Sequence, residues 1–291
     1  MPRRRRWSSP QVPTTPRRAT GARRETRRGV VRGPRPGRGA RSIAHVTSPT
    51  HARPARRRGA GSAVVGGVGE ILITLGVVLG LFVVWQLWWT SVEATAQADK
   101  VLTEFRATLP PINPAAAELR TDDPPVPDPV GYGETIGTLV VPAWYGLTNN
   151  AMPIAEGTGM DVLDQAMAGH YETSQQVGDV GNFALAGHRR THGNSFRHVD
   201  DLEKGDQIIV ETAQTWYVYE VTDHEIVTPD QVDVVAPVPH HPDQKPTERL
   251  LTLTTCHSLT LGEYGNDHRW ITYATFVGWM DRADGTPDQV R

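Results

Sequence analysis

Three side chains able to do acyl-transfer chemistry stand at the ends of strand-like runs. Cys256, the chain's single cysteine, follows Leu250-Leu251-Thr252-Leu253-Thr254-Thr255. His188 follows Phe183-Ala184-Leu185-Ala186-Gly187, and Arg269 opens Arg269-Trp270-Ile271-Thr272-Tyr273. A free thiol of pKa ~8.5 is only about 3% thiolate at pH 7, and a nearby imidazolium raises that fraction. A thiolate attacks a peptide carbonyl and forms a thioester. A guanidinium offers a fixed positive fork to the oxyanion, and an imidazole protonates the leaving amine and deprotonates the incoming nucleophile. If residues 257–268 connect an antiparallel pair, Cys256 and Arg269 face each other, with Cα atoms ~4.5–5.5 Å apart. His188 has to arrive from a separate strand end.

Each of these residues also has a plainer reading. A lone cysteine is equally a small buried hydrophobe or half of an intermolecular disulfide. His188 alone reads as a core or turn histidine, and Arg269 as a solvated strand end. Arg189 and Arg190 are rival cations, and Thr255 is a further candidate to aid the oxyanion. His192, His198, His257 and His268 read as surface or supporting residues. His257 adjoins Cys256, but successive strand residues face opposite sides. His240-His241 is not a zinc pair, because adjacent side chains point apart and no other ligand stands at a known spacing. No cofactor and no metal are expected.

The elements that must position these groups are mostly strands. Candidates are Thr135–Pro142, Asn182–Gly187, Gln207–Glu211, Trp216–Val227, Leu250–Cys256 and Arg269–Gly278, many rich in β-branched and aromatic residues. One helix is expected over Met160–Ala168, with Gly169 closing it, and a short turn over Phe196–Leu202. Many short strands with one or two short helices predict a mainly β fold, a closed barrel over residues 131–280. Residues 228–248 form a long polar, proline-rich loop of the kind that often serves function. Residues 281–291 are a short C-terminal tail.

Charge and hydropathy divide the rest. Residues 1–62 carry eighteen arginines and one acid, Glu25, whereas residues 63–291 carry 12 basic and 31 acidic groups. A tail this basic, and poor in aromatics, is expected to be disordered. It offers no nucleic-acid-binding fold, and contact with anionic lipid is the better reading. Ile71 to Trp89 is nineteen uncharged residues, roughly 28 Å as a helix, close to the ~30 Å hydrocarbon core. Trp85, Trp88 and Trp89 form an interfacial belt at its end, so residues 68–90 are expected to span a membrane, with the arginine-rich side cytoplasmic. Ala94-Thr95-Ala96 matches a signal-peptidase site only weakly. Residues 91–109 read as a helical stalk. Residues 110–130, with seven prolines, read as an extended spacer, so that 91–130 links the span to the barrel.

Ala186-Gly187-His188-Arg189, Thr252-Leu253-Thr254-Thr255-Cys256 and the downstream Arg269 together resemble the sortase family. So do Ile136–Pro142 and the Gly193-Asn194-Ser195-Phe196 segment. The Thr-Leu-Thr-Thr-Cys form and the arginine-rich extension look most like class E enzymes. The resemblance implies an eight-stranded sortase barrel and a membrane-anchored, extracytoplasmic cysteine transpeptidase with Cys256 as nucleophile, His188 as acid and base, and Arg269 as oxyanion or substrate stabiliser. It implies cleavage of a C-terminal sorting signal between Thr and Gly, with Leu-Ala-x-Thr-Gly favoured over Leu-Pro-x-Thr-Gly. Its partners would be secreted proteins bearing that signal, a cell-wall-precursor amine and membrane lipid, without nucleic acid. A related hydrolase and a non-catalytic wall-binding barrel are the alternatives.

Overall fold

A computed structural model describes residues 60–115, 117–147, 150–257 and 267–290. The arginine-rich residues up to 59 and residues 258–266 lie outside the described residues. The described residues open with one helix, α1 (Ala60–Thr108), 49 residues long. It is long and apolar enough to cross a membrane. Large side chains such as Ile71, Leu79, Phe82 and Trp88 are more than half exposed. From Ala94 onward the same helix packs against protein, burying Ala94, Ala98 and Leu102 at helical spacing.

Eight strands follow: β1 (Thr135–Val140), β2 (Ala151–Glu156), β3 (Ala168–His170), β4 (Gly181–Ala186), β5 (Gln207–Glu211), β6 (Thr215–Val227), β7 (Arg249–His257) and β8 (His268–Asp281). They close into a barrel in the order β1-β2-β3-β4-β7-β8-β6-β5. This is the eight-stranded barrel expected of a sortase, and closure leaves no exposed sheet edge. The pairs β2–β3 and β4–β7 are parallel. Inward side chains such as Leu139, Ile154, Phe183, Leu185, Ile208, Tyr219, Leu251 and Leu253 make the principal core.

Two strands lack a clear sequence signature. β2 contains Pro153, which pairs with Thr138 of β1 but precedes the ladder to β3, which starts at Ile154. A proline is tolerated there because that side of the strand needs no N–H. β3 is three residues long and has Gly169 at its centre. The helix expected over Met160–Ala168 is shorter, α2 (Met160–Leu163). Ala166 takes φ +58°, which ends helical geometry and turns the chain into β3.

The proline-rich segment after α1 is extended and lies against the barrel. Arg120 pairs with Trp279 through both backbone groups, at 2.7 and 2.9 Å. The Tyr217 hydroxyl donates to the Pro125 carbonyl at 2.7 Å. Arg282, 4% exposed, donates from Nε to the Glu211 carboxylate at 2.9 Å and from Nη1 to the Pro110 carbonyl at 3.0 Å. The prolines dictate extension, and the backbone groups they leave free find partners on β6, on β8 and in the turn after β8.

Candidate active site

β7 sits between β4 and β8, so each neighbour brings one group to Cys256. On the β8 side the antiparallel ladder pairs Cys256 directly with Arg269 and His257 with His268. Opposed residues have Cα atoms ~4.5–5.5 Å apart, so thiol and guanidinium leave the same face of the sheet. Arg269 Nη1 donates to the His268 carbonyl at 3.0 Å, which directs its planar head.

On the β4 side the ladder is parallel, with Ala184↔Thr252, Leu185↔Leu253 and Ala186↔Thr254. Two more steps at the same offset bring His188 beside Cys256. The chains stay together past the end of β4. Gly187 N donates to the Thr254 carbonyl at 3.1 Å, and Thr255 Oγ1 donates to the Gly187 carbonyl at 2.6 Å. The hydroxyl of Thr255, a candidate oxyanion aid by backbone or side chain, thus fastens the two strand ends. Gly187 is required by space, because an added Cβ would stand 2.8 Å from the Phe196 ring.

His188 is held from a third direction. Its Nε2 lies 2.7 Å from Oδ1 of Asp164, at the end of α2. A carboxylate only accepts, so Nε2 carries the proton and donates, leaving Nδ1 available. His192 Nδ1 approaches the same oxygen at 3.4 Å, and the His188 and His192 rings are 5.3 Å apart. Ligand atoms of Asp164, His188 and His192 lie within 4.8 Å of one another, a set of the type that holds divalent metal. No sequence signal marked Asp164, because it reaches His188 only through the turn between α2 and β3.

The loop after His188 is conformationally costly. His192, Gly193 and Asn194 all lie in the left-handed region, at φ +47°, +82° and +57°. His and Asn tolerate this region better than branched residues do. Gly193 lies against the α2–β3 turn and the stalk, since a Cβ there would stand 2.4 Å from Ala166 Cβ and 3.2 Å from Thr95 Oγ1.

Of the surface and supporting positions expected for His257, the structure gives it a buried one. Alternation along β7 turns it to the opposite face from Cys256, where it is 6% exposed and stacks on Trp270 at 5.9 Å. Burial, with the Arg189 charge adding to it, lowers the His257 pKa and keeps the ring neutral. Arg189 is buried as well, paired with Asp200 at 2.7 Å and lying over Trp270. His240 meets carboxylates, Glu225 at 2.6 Å and Asp233 at 3.4 Å.

A cavity of about 270 Å³ runs along the Cys256 face of β7 and β8. Its floor includes Thr254, Arg269 and Ile271, and its wall is the 227–235 segment with Pro229, Val232 and Val234. Tyr171 closes the other side and shares a 2.9 Å hydrogen bond with Thr254. The wall is fixed by Asn182, whose amide donates to the Ala236 carbonyl at 3.1 Å and whose oxygen accepts from Thr252 at 2.8 Å. The long proline-rich loop of the sequence thus builds one side of a groove beside the thiol.

Comparison with known proteins bears on the family. A sortase domain model matches residues 141–277. The chain is 39% identical to Sortase SrtE1 of Streptomyces coelicolor over 81% of its length, spanning 64% of that protein. It is 34% identical to Sortase SrtE2 of the same organism, over 81% of this chain and 91% of the relative.

The chain belongs to the sortase family.

Its likeness to both relatives is to class E sortases. Among solved structures, the SrtA sortase from Actinomyces oris is 66% identical, with a TM-score of 0.57, over 59% of this chain and 96% of that one. Sortases are cysteine transpeptidases, so the single thiol of this sortase falls within the chemistry its family performs.

Proposed function

We propose that this sortase is a membrane-anchored cysteine transpeptidase whose α1 crosses the bilayer with the N-terminus cytoplasmic and the barrel outside. The tail's arginines precede the span and the tryptophan belt follows it, which favours that orientation. The substrate is a secreted protein with a C-terminal sorting signal of the Leu-Ala-x-Thr-Gly or Leu-Pro-x-Thr-Gly type. The aliphatic and small residues of such a signal suit a groove walled by Val232, Val234 and Ile271.

The Cys256 thiol passes its proton to His188 Nδ1, and the thiolate adds to the Thr carbonyl carbon. Charge develops on the carbonyl oxygen, where the Arg269 guanidinium can meet it. Collapse breaks the Thr–Gly bond, and His188 gives its proton to the departing Gly amine. The Thr acyl group then remains on sulfur as a thioester. An amine of a cell-wall precursor loses its proton to His188, adds to the thioester carbonyl and expels the thiolate. Asp164 stabilises the ring whenever it is protonated, before the Gly amine leaves and again after the incoming amine gives up its proton.

The observation that carries this reading is the position of Cys256 on β7, opposite Arg269 in one ladder and two residues beyond the last pair of the other, Ala186↔Thr254, as His188 is on the partner side. The test is turnover of a sorting-signal peptide by the full chain in detergent, with mass spectrometry of the products. Cys256→Ala is expected to lose all cleavage while keeping its thermal midpoint. Retained turnover in that variant defeats the reading. Cleavage with no amine adduct, at saturating amine, makes the enzyme a hydrolase.

A further inference from the structure

The stalk and the histidine loop together fix how far the active site stands from the membrane. α1 runs unbroken through the span into the stalk, so distance along it can be counted. Thr95 lies six residues beyond Trp89, roughly 9 Å at ~1.5 Å per residue. A tryptophan belt marks the edge of the hydrocarbon, and the headgroup layer adds roughly 5–8 Å beyond it. Gly193 touches Thr95, while Ala94 and Ala98 pack on Ala166 of the α2–β3 turn. The loop 188–197 therefore sits at the outer face of the lipid headgroups.

That loop opens into a cation-rich cavity. It has a volume of about 480 Å³ and is lined by Arg189, Arg190, Arg197, His198, Asp200 and Asp201. Both acids are already engaged, Asp200 by Arg189 at 2.7 Å and Asp201 by His198 at 2.9 Å. Arg190 and Arg197 are exposed and have no ion-pair partner among the described residues. Arg189 is 4% exposed, and its Nη1 has no hydrogen-bond partner. The cavity thus offers two unpaired guanidinium groups beside a buried unsatisfied N–H, a combination that suits a phosphate group. The surroundings make the patch stand out, because residues 63–291 hold 31 acids against 12 basic groups. An anionic bilayer repels the domain everywhere except where such a patch faces it.

We infer that Arg190 and Arg197 bind the phosphate groups of anionic lipid headgroups, and that this contact clamps the His188 loop onto the bilayer surface. The inference rests on reading α1 as a membrane span. The clamp orients the groove so that both substrates are met at the surface from which they are presented.

The experiment is amide hydrogen exchange on the full chain in nanodiscs, of phosphatidylcholine alone or mixed with phosphatidylglycerol. Amides of residues 189–198 are expected to exchange at least about fivefold more slowly in the anionic discs, since each arginine near such a surface contributes roughly that factor. The double variant Arg190→Gln/Arg197→Gln is expected to exchange equally in both discs, and high salt is expected to do the same to the parent protein. Equal exchange of the parent in both discs overturns the clamp, as does protection that survives in the double variant. Inorganic pyrophosphate that protects the segment equally well in neutral discs assigns the site to a soluble anion and overturns the lipid. Cleavage of the sorting peptide in detergent is expected to be unchanged in the double variant, and its loss moves these arginines into the catalytic site. A chain that fails to co-elute with discs refutes the span itself, and cleavage by Cys256 is read separately.

Discussion

On one flank of Cys256 stands Arg269, brought there by the antiparallel pairing of two consecutive strands. On the other comes His188, 68 residues earlier in the chain and two residues past the end of the parallel partner β4. The first flank is nearly self-sufficient, because forming the β7–β8 ladder is enough to oppose the two residues. The second depends on contacts from elsewhere. Thr255 and Gly187 fasten the strand ends, Asp164 holds the ring, and Ala166 and Thr95 press on the turn at Gly193. A cation that stabilises a charge tolerates some positional error, whereas a proton carrier must be within hydrogen-bond reach. On the proposed roles of His188 and Arg269, the tertiary contacts fall on the side where position matters more.

This asymmetry can be broken from either side. His188→Gln is expected to lower kcat by ~10²–10⁴-fold, the range of a lost general acid–base. Arg269→Gln is expected to lose ~10²–10³-fold, with Arg269→Lys recovering only part, since a point charge does not replace a planar fork. Single-turnover acylation rates measure both, and an Arg269→Gln loss exceeding that of His188→Gln reverses the order argued above. Gly193→Val tests the buttress. A branched residue at φ +82° facing Ala166 must shift the turn, and kcat is expected to fall roughly tenfold or more while the β7–β8 amides keep their exchange protection.

Asp164→Asn removes the charge but keeps the shape. Roughly a tenfold fall in kcat with little change in KM is expected, about the worth of one charge-assisted hydrogen bond. A change in KM alone would mean that Asp164 shapes the groove instead. The smallest effect concerns His257. Its pKa is lowered in the fold, so below the unfolded value of about 6.5 the unfolded chain takes up a proton that the folded chain refuses. Stability from this group is intact above that pH and falls as pH drops toward the depressed folded value. His257→Gln is expected to show a smaller drop in thermal midpoint between about pH 7 and pH 5 than the parent protein.

Much of the barrel was legible because its longer strands carry their own signal. Trp216-Tyr217-Val218-Tyr219 alternates within β6, and Gln207–Glu211 falls where the β-branched run places it. β2 and β3 were not legible, because Pro153 and Gly169 weaken the local pattern and only the neighbouring strands make those residues extended. Cys256, His188 and Arg269 stood out by type and spacing. Asp164, His192 and the stalk contact at Thr95 did not, because nothing local links them to His188. The proline-rich run was legible as extended but not as packed, since extension is set by φ and packing by what lies alongside.

The order of residues by itself determined an apolar span, a β-rich domain beyond it, and one thiol two strand ends away from an imidazole and a guanidinium. It did so because periodicity, charge and turn chemistry act over a few residues. Only the tertiary structure decided which carboxylate holds His188, which face of the stalk meets the barrel, and that the proline-rich loop walls a groove. Those choices rest on contacts between residues tens of positions apart, whose energies appear only once the barrel has closed.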